Sequence, residues 1–256
     1  MSARRSRPSL ALLGLLLLAG CVRALPPLRA PIDEEARRAV ALLTARWQEF
    51  SDLRTILDVE IRRGKERQAL TGVLLAKAPD SVRFEALSPF GQPVLLFTIH
   101  DGWLTAYDAA TDEATIGPAT ADTAAGLLGL PLEPDDLVGV LGGRVVPPKD
   151  LRVAQVLPPD EQGPSLEMIG TVHRQRVWMD FTSGRVRQLD ITGGRYEVRV
   201  TYLPDGDGRP RGFDLSAAND YVVASVRYRN PVFDGGIESD RFELTLPKSA
   251  KIQRLR

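Results

Sequence analysis

The chain's intrinsically reactive side chains are few: one thiol, Cys21, and two imidazoles, His100 and His173. A single cysteine excludes an internal disulfide framework, a cysteine-based zinc site and an iron–sulfur cluster. His100 falls at an expected hairpin and His173 at an expected strand end. Neither has an obvious cysteine or histidine partner, so hydrogen-bonded structural roles are expected for both. No G-x-S-x-G elbow, H-E-x-x-H helix or P-loop occurs. Asp205-Gly206-Asp207-Gly208 is a faint version of a calcium loop without its later ligands, and a hairpin tip explains it better. Asp58, Glu60 and Glu197 fall on the polar parity of strands, where solvation accounts for them. Neither an enzyme nor a cofactor is expected.

Cys21 is informative through what precedes it. Arg4, Arg5 and Arg7 form a positive start, and Leu10 to Leu18 is an apolar run of signal-peptide length, too short to span a bilayer. Leu18-Ala19-Gly20-Cys21 then resembles the lipobox of bacterial lipoproteins. The resemblance implies a diacylglyceryl group on the Cys21 thiol, cleavage before it, and acylation of the new amine. An ordinary secretory signal and an uncut membrane anchor are the competing readings. In the lipoproteins it resembles, Asp after the cysteine often signals inner-membrane retention; Val22 and Arg23 stand here, so the implied destination is the outer membrane, facing the periplasm. Several acyl chains, each gaining about 0.8 kcal/mol per buried CH₂, anchor a protein stably.

The 256 residues are 43% apolar, enough for a sizeable core. Gly (22) and Pro (19) exceed average usage, which favours turns over long helices. Basic and acidic side chains number 33 each, and loss of residues 1–20 with their three arginines leaves 30 basic against 33 acidic. Nothing here suits nucleic acid. Three segments are expected: a signal peptide at 1–20, an acylated cysteine and Pro-rich tether at 21–32 containing Pro26, Pro27 and Pro31, and one domain at 33–256.

The domain opens on a helix. Asp33 is placed to cap it, Glu34 and Glu35 fill its first turn, and Ala36, Val40, Leu43, Trp47 and Phe50 make one apolar stripe. From Leu53 the period changes to two, with Leu53, Thr55, Leu57, Val59 and Ile61 on one parity. Strand-like stretches follow at 68–77, 81–87, 93–100, 103–108, 166–173, 177–181, 185–191, 196–202, 212–216, 221–229 and 241–246. Asp101-Gly102 is a strong two-residue hairpin signal. Between the two strand sets lies a Leu-rich helical insert, 120–143. About eleven hairpin-linked strands with helices in two places argue for one antiparallel sheet, curled toward a barrel and covered by helices.

Leu87-Ser88-Pro89-Phe90-Gly91-Gln92-Pro93 links two strands, with Pro restricting the chain and Gly91 permitting a tight bend. Full burial of a Phe is worth about 1.5–3 kcal/mol, so Phe90 either folds back into the core or awaits a membrane or partner. Loop statistics alone favour folding back. In the insert, Ala124, Ala125, Leu127 and Leu128 make a short helix, Gly129-Leu130-Pro131-Leu132 breaks it, and Pro134-Asp135-Asp136 opens another with Leu137, Val140 and Leu141.

Ser-Pro-Phe-Gly at 88–91, the Asp101-Gly102 hairpin, and Gly129-Leu130-Pro131-Leu132 followed by Leu137, Leu141 and Gly142 together resemble the LolB family of outer-membrane lipoprotein receptors, sisters of the soluble carrier LolA. The resemblance runs from about Asp33 to Gly143. It implies an incomplete antiparallel barrel with a helical lid, holding lipoprotein acyl chains received from a LolA-type periplasmic carrier. It also implies that Pro89, Phe90 and Gly91 form the protruding membrane-insertion loop, with Phe90 where the family carries an exposed Leu. The strand parity and the insert then nominate Phe84, Phe97, Leu127, Leu128, Leu137, Leu141, Val198 and Tyr202 as wall or lid of an acyl cavity. Acylated lipoproteins, the carrier and a membrane are the implied partners of a monomer. An envelope assembly lipoprotein, binding a protein partner with the same barrel, is the alternative.

Overall fold

A computed structural model describes residues 32–193, 196–204, 208–217 and 221–255. The signal segment, Cys21, the tether to Pro31 and the 205–207 turn lie outside the described residues. Helix α1 (Glu34–Gln48) leads into β1 (Asp52–Arg63), β2 (Glu66–Lys77), β3 (Ser81–Leu87), β4 (Pro93–His100), β5 (Trp103–Asp108) and β6 (Glu113–Pro118). Helices α2 (Ala121–Leu128) and α3 (Pro134–Gly142) follow. Then come β7 (Val153–Asp160), β8 (Gly163–Ile169), β9 (Arg174–Met179), β10 (Val186–Gly193), β11 (Tyr196–Pro204), β12 (Pro210–Ala217), β13 (Val222–Phe233) and β14 (Lys251–Arg254). The strands form one open sheet in the order β14-β6-β5-β4-β3-β2-β1-β13-β12-β11-β10-β9-β8-β7, an incomplete barrel with helical elements. Among the described strands β14 pairs in parallel, with β6, and Ile32 makes an isolated parallel bridge to Ala154 of β7.

One parity of each strand makes the concave face. Leu53, Thr55, Leu57 and Val59 stand opposite Ala76, Leu74, Gly72 and Leu70 of β2, and the row continues through Phe84 to Phe97. On the other side Tyr228 and Val226 continue it through Phe213 to Tyr202. Nearly all of these side chains are buried in one apolar cluster, because a pleated strand places alternate residues on the same face. Gly72 is a spacing device: a Cβ there would lie 2.5 Å from the Phe84 ring. The helices complete the core, α1 against β7, α3 against β1 to β3, and α2 against β5.

Helix α1 begins where the sequence places it, with the Asp33 carboxylate accepting from the Ala36 N–H at 2.7 Å. Its buried stripe is Ala36, Ala39 and Leu43; Val40 and Trp47 are half-buried, and Phe50 is buried beyond the helix end. Phe50 seats on α3 because Gly142 has no side chain to block its ring. The β4–β5 turn has positive φ at both Asp101 and Gly102, as a primed hairpin turn requires.

Fourteen strands replace the expected eleven or so. The unexpected ones carry weak period-two signals: β6 ends in Gly117-Pro118, β7 runs into Pro158-Pro159, and β14 is Lys-Ile-Gln-Arg with every residue exposed. The expected strand at 241–246 does not form. Ser239–Phe242 is a 3-10 turn instead, and Arg83 takes the carbonyls of Arg241 and Glu243 at 3.1 and 2.7 Å. Those carbonyls are satisfied by a side chain crossing the outer face of the sheet, so no ladder partner is needed.

This segment, 234–255, is a strap over the convex face. Buried Asp52 accepts from the backbone N–H groups of Gly235, Gly236 and Ile237 at 2.9, 2.9 and 3.2 Å, fixing its start. Phe242, fully buried, stacks on His100 at 6.0 Å. His100 Nδ1 in turn lies 3.1 Å from Ser81 Oγ, a structural hydrogen bond.

Candidate functional site

The Ser88-to-Gln92 loop is built from its own bonds. Ser88 Oγ accepts from the N–H groups of Phe90 and Gln92 at 3.3 and 3.2 Å, the Ser88 N–H donates to Gln92 O at 2.7 Å, and the Gly91 N–H donates to Ser88 O at 2.9 Å. Gly91 has φ +78°, the left-handed region that favours glycine. This self-contained turn leaves Phe90 91% exposed, correcting the expectation that it folds back. Its ring has no route inward, because the loop satisfies its backbone locally rather than by packing.

At the foot of the loop the concave face reaches the surface. An open groove of about 700 Å³ runs along Val59, Leu70, Ala86, Pro89 and Leu95, with Asp58, Glu60, Gln68 and Thr71 also on its walls. Val94 and Leu95 are each 40% exposed, beside a bulge between Ala86 and Leu87 that offsets the start of β4. The same apolar row that fills the core thus emerges beneath an exposed aromatic tip.

Phe84, Leu137, Leu141, Val198 and Tyr202 are buried in the single core cluster, and Phe97, Leu127 and Leu128 pack against it half-buried. The structure brings the eight into one apolar body but not into one pocket. Phe84 and Phe97 form a tilted pair at 5.5 Å, while Tyr202 joins Phe213 and Tyr228 on the opposite wall, at 6.4 and 6.3 Å between successive rings. Helix α3 lies between them over β1 to β3, with every residue from Leu137 to Gly142 buried. Tyr228 Oη donates to Leu141 O at 2.8 Å, satisfying a helix-end carbonyl from the sheet side. By contrast α2 buries only Ala124, and its Gly129 end rests against Arg63.

A second open cleft, of about 610 Å³, was not anticipated from the sequence. Glu133, Asp135, Asp136, Trp47, His173 and Gln175 contribute to its walls. Burial, then repulsion from Asp135 and Glu133, pushes the Asp136 carboxyl up to about 7. Gln175, buried, donates from Nε2 to Asp136 Oδ1 at 3.3 Å and to Val146 O at 3.1 Å, and Lys149 pairs with Asp135 at 2.8 Å. The only sequence trace of this arrangement is the Asp-Asp pair opening α3. Among the described residues no group of three or more His, Cys, Asp or Glu side chains is placed to hold a metal ion, and no helix is long and apolar enough to cross a membrane.

No protein-family model matches the chain, and no curated protein does. Solved structures do. An outer membrane lipoprotein-sorting protein domain from Vibrio parahaemolyticus superposes with a TM-score of 0.57 at 14% identity, covering 81% of this chain and 97% of its own. A LolA superfamily protein from Nitrosomonas europaea gives 0.56 at 12% identity, covering 82% and 97%. A DUF1329 family protein from Desulfovibrio piger gives 0.58 at 12% identity, covering 82% and 98%. What is shared is the fold, and that fold is LolA-like.

Proposed function

We propose that this protein is a lipid-anchored, periplasm-facing receptor of the LolB type. It takes acyl chains of lipoproteins from a LolA-type carrier and passes them to the outer membrane, with Cys21 as its own anchor. The observation that carries the reading is the continuity of the concave apolar face with a groove beneath exposed Phe90. No covalent chemistry is needed: each buried CH₂ gains about 0.8 kcal/mol, so cargo moves toward whichever host shields it better. Helix α2, with one buried residue, is the element an incoming chain displaces, and Leu127 and Leu128 become part of its wall. Phe90 then enters the bilayer and opens the way out. The protein acts as a monomer without a cofactor.

One observation favours a second reading, an envelope assembly lipoprotein that binds a protein partner: α3 occupies the middle of the concavity. A transfer assay separates the two. Lipoprotein loaded on a LolA-type carrier is mixed with this protein and then with liposomes, and cargo is followed by crosslinking. The receptor reading expects cargo on this protein first and in liposomes later. Cargo that stays on the carrier supports the assembly reading.

A further inference from the structure

A small cavity of about 40 Å³ lies where β10 begins, beside Leu203 near the end of β11 and Gly208 to Pro210 at the start of β12. These are the strand ends away from the Phe90 loop. Its lining residues include Arg144, Arg185, Arg187, Arg209 and Tyr202, and no carboxylate among the described residues. Two of these residues carry a buried group without a partner, Arg144 Nε and the Tyr202 hydroxyl, and both groups can donate. Tyr202 is only 7% exposed. Arg209 has a long contact to Asp234 at 3.4 Å, whereas the Arg185 and Arg187 side chains make no ion pair among the described residues.

The backbone is shaped to bring these groups together. The β9–β10 register shifts between Val186 and Gln188, so Arg187 is the extra residue of a bulge; the β11–β12 register shifts between Tyr202 and Pro204. Bulges re-aim side chains, and here two of them border one cavity. Gly208, at φ +76°, lets Arg185 lie across the hairpin, since a Cβ there would stand 2.7 Å from its Nη2. The Arg187 guanidinium lies over Gly163 at the start of β8, where a Cβ would stand 2.9 Å from its Nη2. Burial lowers the Arg144 pKa and the charge of Arg46 lowers it further, while Glu49 and Asp234 act in the opposite direction. Water can accept from these donors but brings no negative charge, and Asp234 is the acid nearest to Arg209, at 3.4 Å.

We infer that this cavity is an oxyanion site that takes a phosphate group, held by the guanidinium forks and the Tyr202 hydroxyl. The cavity exceeds the roughly 10–15 Å³ that one water-sized occupant needs, so it admits a small oxyanion's oxygens. Arginine forks fit such oxygens two at a time. The phosphate comes either free or on a phospholipid headgroup. The inference uses neither the Phe90 loop nor the groove beneath it.

Calorimetry on the full chain, at fixed ionic strength with chloride as the reference, tests it with two probes: inorganic phosphate and monomeric dihexanoyl phosphatidic acid. Phosphate is expected to bind, and Arg187→Met to weaken it about tenfold or more, the loss of a charge-assisted hydrogen bond. Tyr202→Phe removes an unpartnered hydroxyl while keeping the ring, so it serves if an arginine variant fails to fold; it too should weaken binding. Tighter binding of the lipid analogue than of inorganic phosphate identifies a headgroup, and equal or weaker binding identifies the free anion. Binding of neither probe overturns the inference. Binding that both variants leave unchanged overturns it as well.

Discussion

Helices α2 and α3 come from one Leu-rich insert, have eight and nine residues, and both end on a glycine in the left-handed region, Gly129 and Gly143. Their composition barely distinguishes them, yet α2 buries one residue and α3 an unbroken run from Leu137 to Gly142. The difference lies in what each can reach. Helix α3 crosses the long central strands, is held at its end by the Tyr228 hydroxyl, and has Gln175 against its first turn. Helix α2 packs chiefly on β5, touching β1 and β6 through Arg63 and Gly117, and caps itself through Thr120, whose Oγ1 accepts from the Thr123 N–H at 3.3 Å. A helix this short is marginal alone, so its stability is whatever the sheet lends it. One insert thus supplies both a fixed plug and a loose cover.

The largest effect tests the plug. Leu141→Ala should cost about 2–5 kcal/mol by denaturant melting, the range for emptying a buried Leu site. Leu128→Ala should cost about 1 kcal/mol or less, the size of a change at a half-buried position. Equal costs would abolish the distinction between the helices.

The entry to α3 gives the next effect. Asp136 has a folded-state pKa of about 7, above its unfolded value, so the stability of the protonated form is full at acid pH and is lost as pH rises through about 7. Asp136→Asn should therefore raise the Tm at pH 8 by several degrees, where about 1 kcal/mol corresponds to roughly 2–4 °C for a domain of this size. At pH 4 the two proteins should melt together. A Tm difference that does not change with pH would remove the buried acid from the account of α3.

Leu128→Glu sharpens the loose side of the comparison. A carboxylate set among apolar groups is costly unless paired or protonated, so a long-chain fatty-acid fluorophore should bind about tenfold more weakly, with the fold retained. Unchanged affinity in a folded variant would take α2 out of the acyl path.

The smallest effect on stability belongs to Phe90→Glu. An exposed tip held by its own backbone should lose no more than about 0.5 kcal/mol. Cargo should still be accepted from the carrier, while passage to liposomes fails, since the tip would then carry a charge into hydrocarbon. Normal delivery by this variant would show that the loop is not the release device.

The half of the architecture that depends on local pattern was legible in the sequence. Strand parity from Leu53 onward, the Asp33 cap, the Asp101-Gly102 turn and both insert helices can be read from spacing alone. Phe90 was harder, because whether a loop folds back depends on the Ser88 hydroxyl binding two backbone N–H groups, which no periodicity reveals. Strands β6, β7 and β14 are short or edge-lying and borrow their order from neighbours. Neither the acidic cleft nor the arginine cavity was foreseen. Each assembles residues far apart in sequence, and their proximity depends on register and bulges rather than on any motif.

The strap has a consequence for how such a protein survives at high concentration. An open sheet has two bare edges, and a bare edge invites pairing with another chain. Here β14 lies along β6 and presents Lys251 and Arg254 outward, while β7 carries Pro158 and Pro159. Charge and proline are the two residue classes that spoil further strand addition. The tail therefore works as an aggregation guard, fastened at Asp52 in the middle of the sheet and laid down at its rim. A chain ending before Gly235 would lose that fastening, leave β6 bare and leave the outer-face pocket around His100 unfilled. Self-association through β6 would then compete with folding to a monomer.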